Sequence, residues 1–189
     1  DLGKINDRYF VFACGAGIDA TVVEKVDANP KWKRRAGPWF YSWVATKGYF
    51  KSYMRNPVQL DLEIDGEVHS GVTVLVQNSD PFTYFSKQPV HVCENVAIDD
   101  GSLGMILLRR ANLLDMGMVV PRLLTEKMKA SRHGQVEAFE EFAEARVRSG
   151  SKDQSGQPRP FPVQVDGDYI GTFEEIKLEA APGALTIVA

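Results

Sequence analysis

Two short acidic turns are the residues in this 189-residue sequence best suited to chemistry. Val165-Asp166-Gly167-Asp168 sets a carboxylate on either side of a glycine near the end of the chain. Ile98-Asp99-Asp100-Gly101 sets two more ahead of an apolar run. Carboxylates at such turns can hold a hard cation together with backbone carbonyls. Read singly, each is also an ordinary turn. Asp-Gly readily supplies the positive φ of a type I′ hairpin, and Asp65-Gly66-Glu67 repeats the pattern. Local sequence does not tell the two hairpins apart. The 98–101 turn lacks the ladder of acids that an EF-hand loop requires.

Other motifs weaken on inspection. Gly15-Ala16-Gly17-Ile18-Asp19-Ala20 follows a candidate strand and opens a candidate helix, with G-x-G-x-x-G/A spacing. A dinucleotide site also needs an acid ending a second strand about 20 residues later. No acid lies between Asp27 and Asp61, and that region is basic and aromatic. A backbone-driven turn into a helix is the plainer reading. There is no P-loop, no H-E-x-x-H and no G-x-S-x-G. His69, His91 and His133 stand alone in sequence and read as surface or core residues.

The elements that must position these groups come from a chain 44% hydrophobic and 25% charged. That composition is of a folded protein, not a disordered one, and the length suits one domain, residues 1–189. With 22 basic and 25 acidic side chains the net charge of −3 gives no global case for nucleic-acid binding. No apolar run approaches the roughly 20 residues that span a bilayer. Cys14 and Cys93 form no disulfide framework or zinc spacing, which points to a reducing compartment. The sequence opens on Asp1 without methionine or signal-peptide pattern, as expected of a piece of something longer.

Charge is unevenly spread. Residues 31–55 carry seven Lys/Arg, no acid and all three tryptophans. Such a segment is either a helix with an aromatic core face and a solvated basic face, or an interfacial helix at a membrane surface.

Hydrophobic period supplies mostly strands. Residues 58–64 alternate strictly and turn at Asp65-Gly66 into 67–77. Residues 9–14, 103–108, 161–165, 169–178 and 185–188 read as further strands, and 137–148 leans the same way without a clean period. Helices are expected as insertions over 18–26, 37–54 and 113–129, the last interrupted by Pro121. Residues 149–160, rich in Ser, Gly, Gln and Pro, form a loop. Strands dominate without alternating with helices, so the expected fold is mainly β with inserted helices, a two-layer antiparallel β-sandwich.

The order of motifs says more than any one of them. Asp-Leu-Gly is followed by Phe-Ala-Cys-Gly-Ala-Gly-Ile-Asp-Ala, then Gly-Pro-Trp-x-Tyr, then a Val-rich strand ending at Asn78. Asp-Asp-Gly and Pro-Phe-Pro-Val-Gln-Val-Asp-Gly-Asp complete the series. Across nearly all 189 residues this resembles the C-terminal domain of the diacylglycerol kinase and sphingosine kinase superfamily, most closely the soluble bacterial lipid kinases.

The resemblance implies a two-domain enzyme whose N-terminal nucleotide-binding half carries a Gly-Gly-Asp-Gly signature. No such segment occurs in this chain. The resemblance implies phosphoryl transfer from ATP, with Mg2+, to a lipid hydroxyl, most simply diacylglycerol giving phosphatidic acid. It places Asp166 and Asp168 near the transferred phosphate and metal, with Asp168 standing where relatives usually have Glu. It makes the Asp-Asp-Gly turn a structural magnesium site, with the Asp100 side chain and backbone oxygens around Ala97 and Ser102. It sets Asp19 near the lipid head group and Asn78 facing the cleft. After Asn78 relatives are glycine-rich, whereas this chain has Pro81-Phe82-Thr83-Tyr84-Phe85. The implied partners are a lipid at a membrane surface and the N-terminal nucleotide-binding domain; a homodimer is left open and nucleic acid is not expected. The implied location is cytoplasmic and peripheral at the inner membrane surface, with residues 31–55 as docking face. The competing expectation is a non-catalytic sandwich that binds lipid or a protein. A Gly-Gly-Asp-Gly segment ahead of Asp1 separates the two.

Overall fold

Strands dominate the part of the chain that the computed structural model describes: residues 1–17, 57–85, 88–90, 92–93, 96–110 and 133–186. The expected helices, the basic aromatic segment and Asp19 lie outside the described residues. In chain order the strands are β1 (Leu2–Ile5), β2 (Arg8–Phe10), β3 (Ala13–Gly17), β4 (Leu60–Ile64), β5 (Glu67–Gly71), β6 (Thr73–Gln77) and β7 (Thr83–Phe85). There follow β8 (Gln88–Val90), β9 (Leu103–Leu108), β10 (Val136–Phe142), β11 (Glu144–Ser149), β12 (Phe161–Val165), β13 (Asp168–Phe173) and β14 (Glu175–Ala181).

They pair antiparallel into two six-stranded sheets and a small β7–β8 ribbon. The first sheet runs β2-β1-β14-β11-β4-β5 and the second β10-β9-β6-β3-β12-β13. The expected two-layer antiparallel sandwich is present. Leu60, Leu62, Val147, Ile176 and Leu178 of the first sheet share one core with Val74, Val76, Leu103, Met105, Phe161 and Val163 of the second.

The two sheets differ in their outer faces. On the first, outward positions carry paired charges: Lys177 bonds Glu144 at 3.2 Å and Glu179 at 3.0 Å, and Arg148 bonds Glu63 at 3.3 Å and Glu175 at 3.0 Å. Such exposed pairs add little stability, but they mark a solvent face. In the second sheet every residue of β3, β9 and β12 is buried. Ile106, Leu108 and Val136 pack outward against Val92, Cys93 and Val96. Gln77, fully buried, holds that cover: its amide donates to Cys93 O and accepts from Cys93 N.

Three runs that read as single strands are each two, and they break where the chain passes between sheets. Residues 67–77 divide at Val72 into β5 and β6; Val72 N donates to Leu108 O across the corner. Residues 169–178 divide at Glu174, and 9–14 at Val11-Phe12. A strand bending through a corner keeps its in–out alternation, so sequence does not reveal the break. The unclean period of 137–148 has a separate cause. β10 carries a bulge between Phe139 and Phe142, with Glu141 at φ 62°, and Ala143 then carries the chain to the other sheet. An extra residue resets the parity of inward positions. Leu185 and Thr186 lie outside any strand, and β1, β7 and β8 have too few alternating residues to announce themselves.

The β5–β6 corner leaves no room for a side chain at Gly71. A Cβ there would lie 2.6 Å from Leu107 Cδ1 and 2.7 Å from Leu108 O. Gly71→Ala should therefore cost about 1–3 kcal/mol by overpacking and lower Tm by several degrees in thermal denaturation. An unchanged Tm would show the corner to be loose.

Candidate active site

The crossing from β2 to β3 leaves three consecutive backbone N–H groups, those of Val11, Phe12 and Ala13, outside the sheet ladders. Asp166 takes all three. Its Oδ2 accepts from Val11 N, and its Oδ1 from Phe12 N and Ala13 N, each at 2.9 Å. Asp166 N donates back to Ala13 O at 2.8 Å. The local turn makes this possible: Asp166 at φ 47° and Gly167 at φ 86° form the tight β12–β13 hairpin, and Gly167 N is held by Gln164 Oε1. Asp65-Gly66 has the same backbone signs. The two hairpins look alike in sequence, and only one clamps a strand crossing.

Asn78 lies next to this clamp and is buried. Its backbone N–H donates to Phe12 O, and its Nδ2 donates to Val11 O at 2.9 Å and Asp1 O at 3.2 Å. Asn78 thus ties the crossing to Asp1. The Asp1 carboxylate in turn accepts from Gly101 N at 2.9 Å and Gly183 N at 2.7 Å, while its backbone nitrogen donates to Ile98 O. Asp1 joins three separate stretches of chain. Sequence reasoning assigned it no role, although the motif series began on it; its partners are about 100 and 180 residues away and leave no local spacing.

The Asp-Asp-Gly turn is locked from within. Asp100 Oδ2 accepts from Ala97 N, and Oδ1 accepts from both Ser102 N and Ser102 Oγ. Partial burial works against the Asp100 charge, but these hydrogen bonds outweigh it and hold the carboxyl below its ordinary 3.8. A carboxylate with three donors keeps little lone-pair capacity for a cation. Ala97 and Ser102 turn their amide N–H groups toward it, and the described residues contain no group of three or more His, Cys, Asp or Glu placed to hold a metal. What remains for a cation is the free lone pair of Oδ2 and nearby backbone carbonyls.

Structure therefore brings Asp166, Asn78 and the 97–102 turn to one end of the sandwich through Asp1. Asp168 stands there too, opposite Val165 at the start of β13. Asp168 and Asp99 are exposed and make no side-chain hydrogen bond or ion pair among the described residues. They are the two carboxylates at this end free to meet a cation or a hydroxyl. Gly17, by contrast, leaves β3 at the end away from Asp166.

Residues 13–189 match the family described as the YegS C-terminal NAD kinase beta sandwich-like domain. The chain belongs to that family. Among curated relatives it is 25% identical over 173 residues to a diacylglycerol kinase of Staphylococcus carnosus, covering 90% of this chain and 50% of that one. It is 28% identical over 143 residues to a diacylglycerol kinase of Staphylococcus aureus, covering 69% and 42%. The crystal structure of a diacylglycerol kinase from Bacillus anthracis superposes with a TM-score of 0.55 at 12% identity, over 94% of this chain and 49% of that one. The chain spans about half the length of these relatives. In each of these relatives, named diacylglycerol kinase, the matched stretch is about half of a longer chain. Among the described residues no helix is long and apolar enough to cross a membrane.

A carboxyl held below its unfolded value adds stability that is present at neutral pH and lost as pH falls through the folded value. Asp100→Asn should therefore unfold at lower temperature than wild type across about pH 5–8. The gap should close only below the ordinary value of 3.8. Thermal melts across pH test this; a gap that closes near neutral pH would assign the effect to another group.

Proposed function

We propose that this family member is the substrate-side half of an ATP- and magnesium-dependent lipid kinase, and that its lipid is diacylglycerol, giving phosphatidic acid. The observation that carries the proposal is the division of labour in Asp166-Gly167-Asp168. Asp166 is consumed by three backbone donors and acts as a positioning residue. Asp168, two residues on, is exposed at the hairpin that Asp166 anchors and has no side-chain partner among the described residues. A rigidly based, unpaired carboxylate suits a group that must meet a substrate hydroxyl or the metal of a nucleotide.

In the proposed step the lipid hydroxyl oxygen attacks the γ-phosphorus of ATP. The bond from that phosphorus to the β,γ-bridging oxygen breaks, and ADP leaves with the electron pair. The hydroxyl proton passes late to the Asp168 carboxylate. Magnesium bound with ATP neutralises charge on the phosphate oxygens, and catalysis is mainly positioning. Asn78 and Asp1 hold the backbone on which Asp166 and Asp168 depend. The nucleotide comes with the remainder of the protein, as the half-length coverage of the relatives supports. The lipid requires work at a membrane surface, for which the basic aromatic segment 31–55 is the proposed docking face at the cytoplasmic leaflet.

The full-length protein, assayed with labelled ATP and diacylglycerol vesicles, separates the two roles. Asp168→Asn should lower kcat by about 10²–10⁴-fold, the usual worth of a general base, with Tm unchanged, and Asp168→Glu should remain active. Asp166→Asn should lower Tm, since its amide NH2 takes the place of Oδ2 and cannot accept from Val11 N–H, while Oδ1 still accepts from Phe12 and Ala13. Full activity in folded Asp168→Asn would overturn the assignment. A well-folded, lipid-binding but inactive wild type would point instead to the non-catalytic module.

A further inference from the structure

The edge strands β5 of the first sheet and β10 of the second contribute to an open groove of about 760 Å³. That volume lies within the roughly 300–1,000 Å³ of small-molecule sites. Val72 at the sheet-to-sheet corner, Gln59, Ser151 and the pair Arg109-Arg110, just past β9, also line it. The groove is far from the acidic hairpin. β6 pairs Thr73 with Leu108 at the groove end, and Gln77 with Gly104 and Ala13 at the Asp166 end. A strand's length, roughly 15 Å, separates the two.

The lining contains one acid, Glu137, and both of its oxygens are engaged. Oε1 accepts from Arg109, and Oε2 faces His69 Nδ1 at 3.3 Å. Phe139 meets the His69 ring edge-on at 4.9 Å, and Glu67 lies 3.7 Å from the other ring nitrogen. Donors are left over. A guanidinium carries five N–H groups, so Arg109 keeps several beyond the one that Glu137 takes. Arg110 is exposed and makes no hydrogen bond or ion pair among the described residues. Ser151 Oγ accepts from Gln59 N at 2.8 Å, which leaves the hydroxyl proton to donate. Ser70, by contrast, gives its proton to Asp61.

We infer that this groove binds the phosphate group of a small water-soluble ester. Two neighbouring guanidiniums and a hydroxyl, with the local acid already engaged, select an anion rich in acceptor oxygens. Guanidinium forks match phosphate geometry in particular. Arg109 and Arg110 hold the phosphate oxygens, and Glu137, with His69 behind it, positions Arg109. Pro57, Val68 and Val72 are the apolar side chains of the lining, too few to bed an acyl chain. The ligand is therefore hydrophilic. In a chain of net charge −3 such a site is not a product of overall charge. The inference stands apart from the kinase reading and from Asp168.

Calorimetric titration of the full-length protein with glycerol 3-phosphate, and with inorganic phosphate as the minimal probe, tests the site without reference to activity. Arg110→Gln should weaken binding by about 10- to 100-fold, the loss expected for hydrogen bonds to a charged group. Its Tm without ligand should not change, since Arg110 holds nothing in place. Val68→Glu puts a negative charge on the groove wall at a side chain that is 66% exposed, and should weaken binding similarly with the core untouched. Asp168→Asn should bind as wild type does. Ligand should slow hydrogen exchange at residues 69–72 and 109–110 and leave 11–13 as they were. Absence of saturable binding by either probe would overturn the site, as would equal binding in wild type and both groove variants. Binding lost in Asp168→Asn would also overturn it, by moving the phosphate to the other end of the sandwich. So would binding confined to phosphatidate in vesicles, which would make the ligand a lipid.

Discussion

One carboxylate decides whether the candidate site exists. A chain that crosses from one sheet to another must leave its ladders, and at Val11–Ala13 that leaves three N–H groups in a row without strand partners. Ala13 N is partly buried while the other two lie at the surface, and a donor left unpaired away from water is costly. Asp166 removes the cost at a single point, because an ionised carboxylate is acceptor-only and can serve several donors at once. The same bonds fix the β12–β13 hairpin against the start of β3, and so fix where Asp168 stands.

Around this clamp the neighbouring parts of the site are assembled by backbone bonding rather than by side chains meeting one another. Asn78 joins the crossing to Asp1, and Asp1 joins the 97–101 turn to Gly183. Most of the polar residues at this end are occupied in holding loops. Among the described residues at this end, Asp168 and Asp99 are exposed carboxylates without a side-chain partner.

Much of the architecture was legible in the sequence. Strict alternation in Leu60–Ile64 and the Asp-Gly turns announced an antiparallel sandwich, because a half-buried strand must alternate and a tight hairpin needs positive φ. The breaks at Val11-Phe12, Val72 and Glu174 were not legible, since a strand keeps its alternation as it turns a corner. The β10 bulge was visible only as a spoiled period. Of the site, Asp166, Asp168, Asn78 and Asp100 were named from the sequence. The resemblance gave them roles at phosphate, metal and cleft; the hydrogen bonds of Asp166, Asn78 and Asp100 were not legible, because they depend on which backbone groups arrive beside them.

The sequence by itself determined the element types, the turns and the membership of a family of β-sandwich domains, all of which follow from patterns within about ten residues or from the order of motifs. It could not choose between Asp166 and Asp168, two acids one glycine apart. Only the tertiary structure distinguishes their surroundings, by bringing residues 11–13, some 150 positions away along the chain, to Asp166 and, among the described residues, no donor to Asp168. A carboxylate that already accepts three hydrogen bonds is a structural part. One that accepts none is available to react.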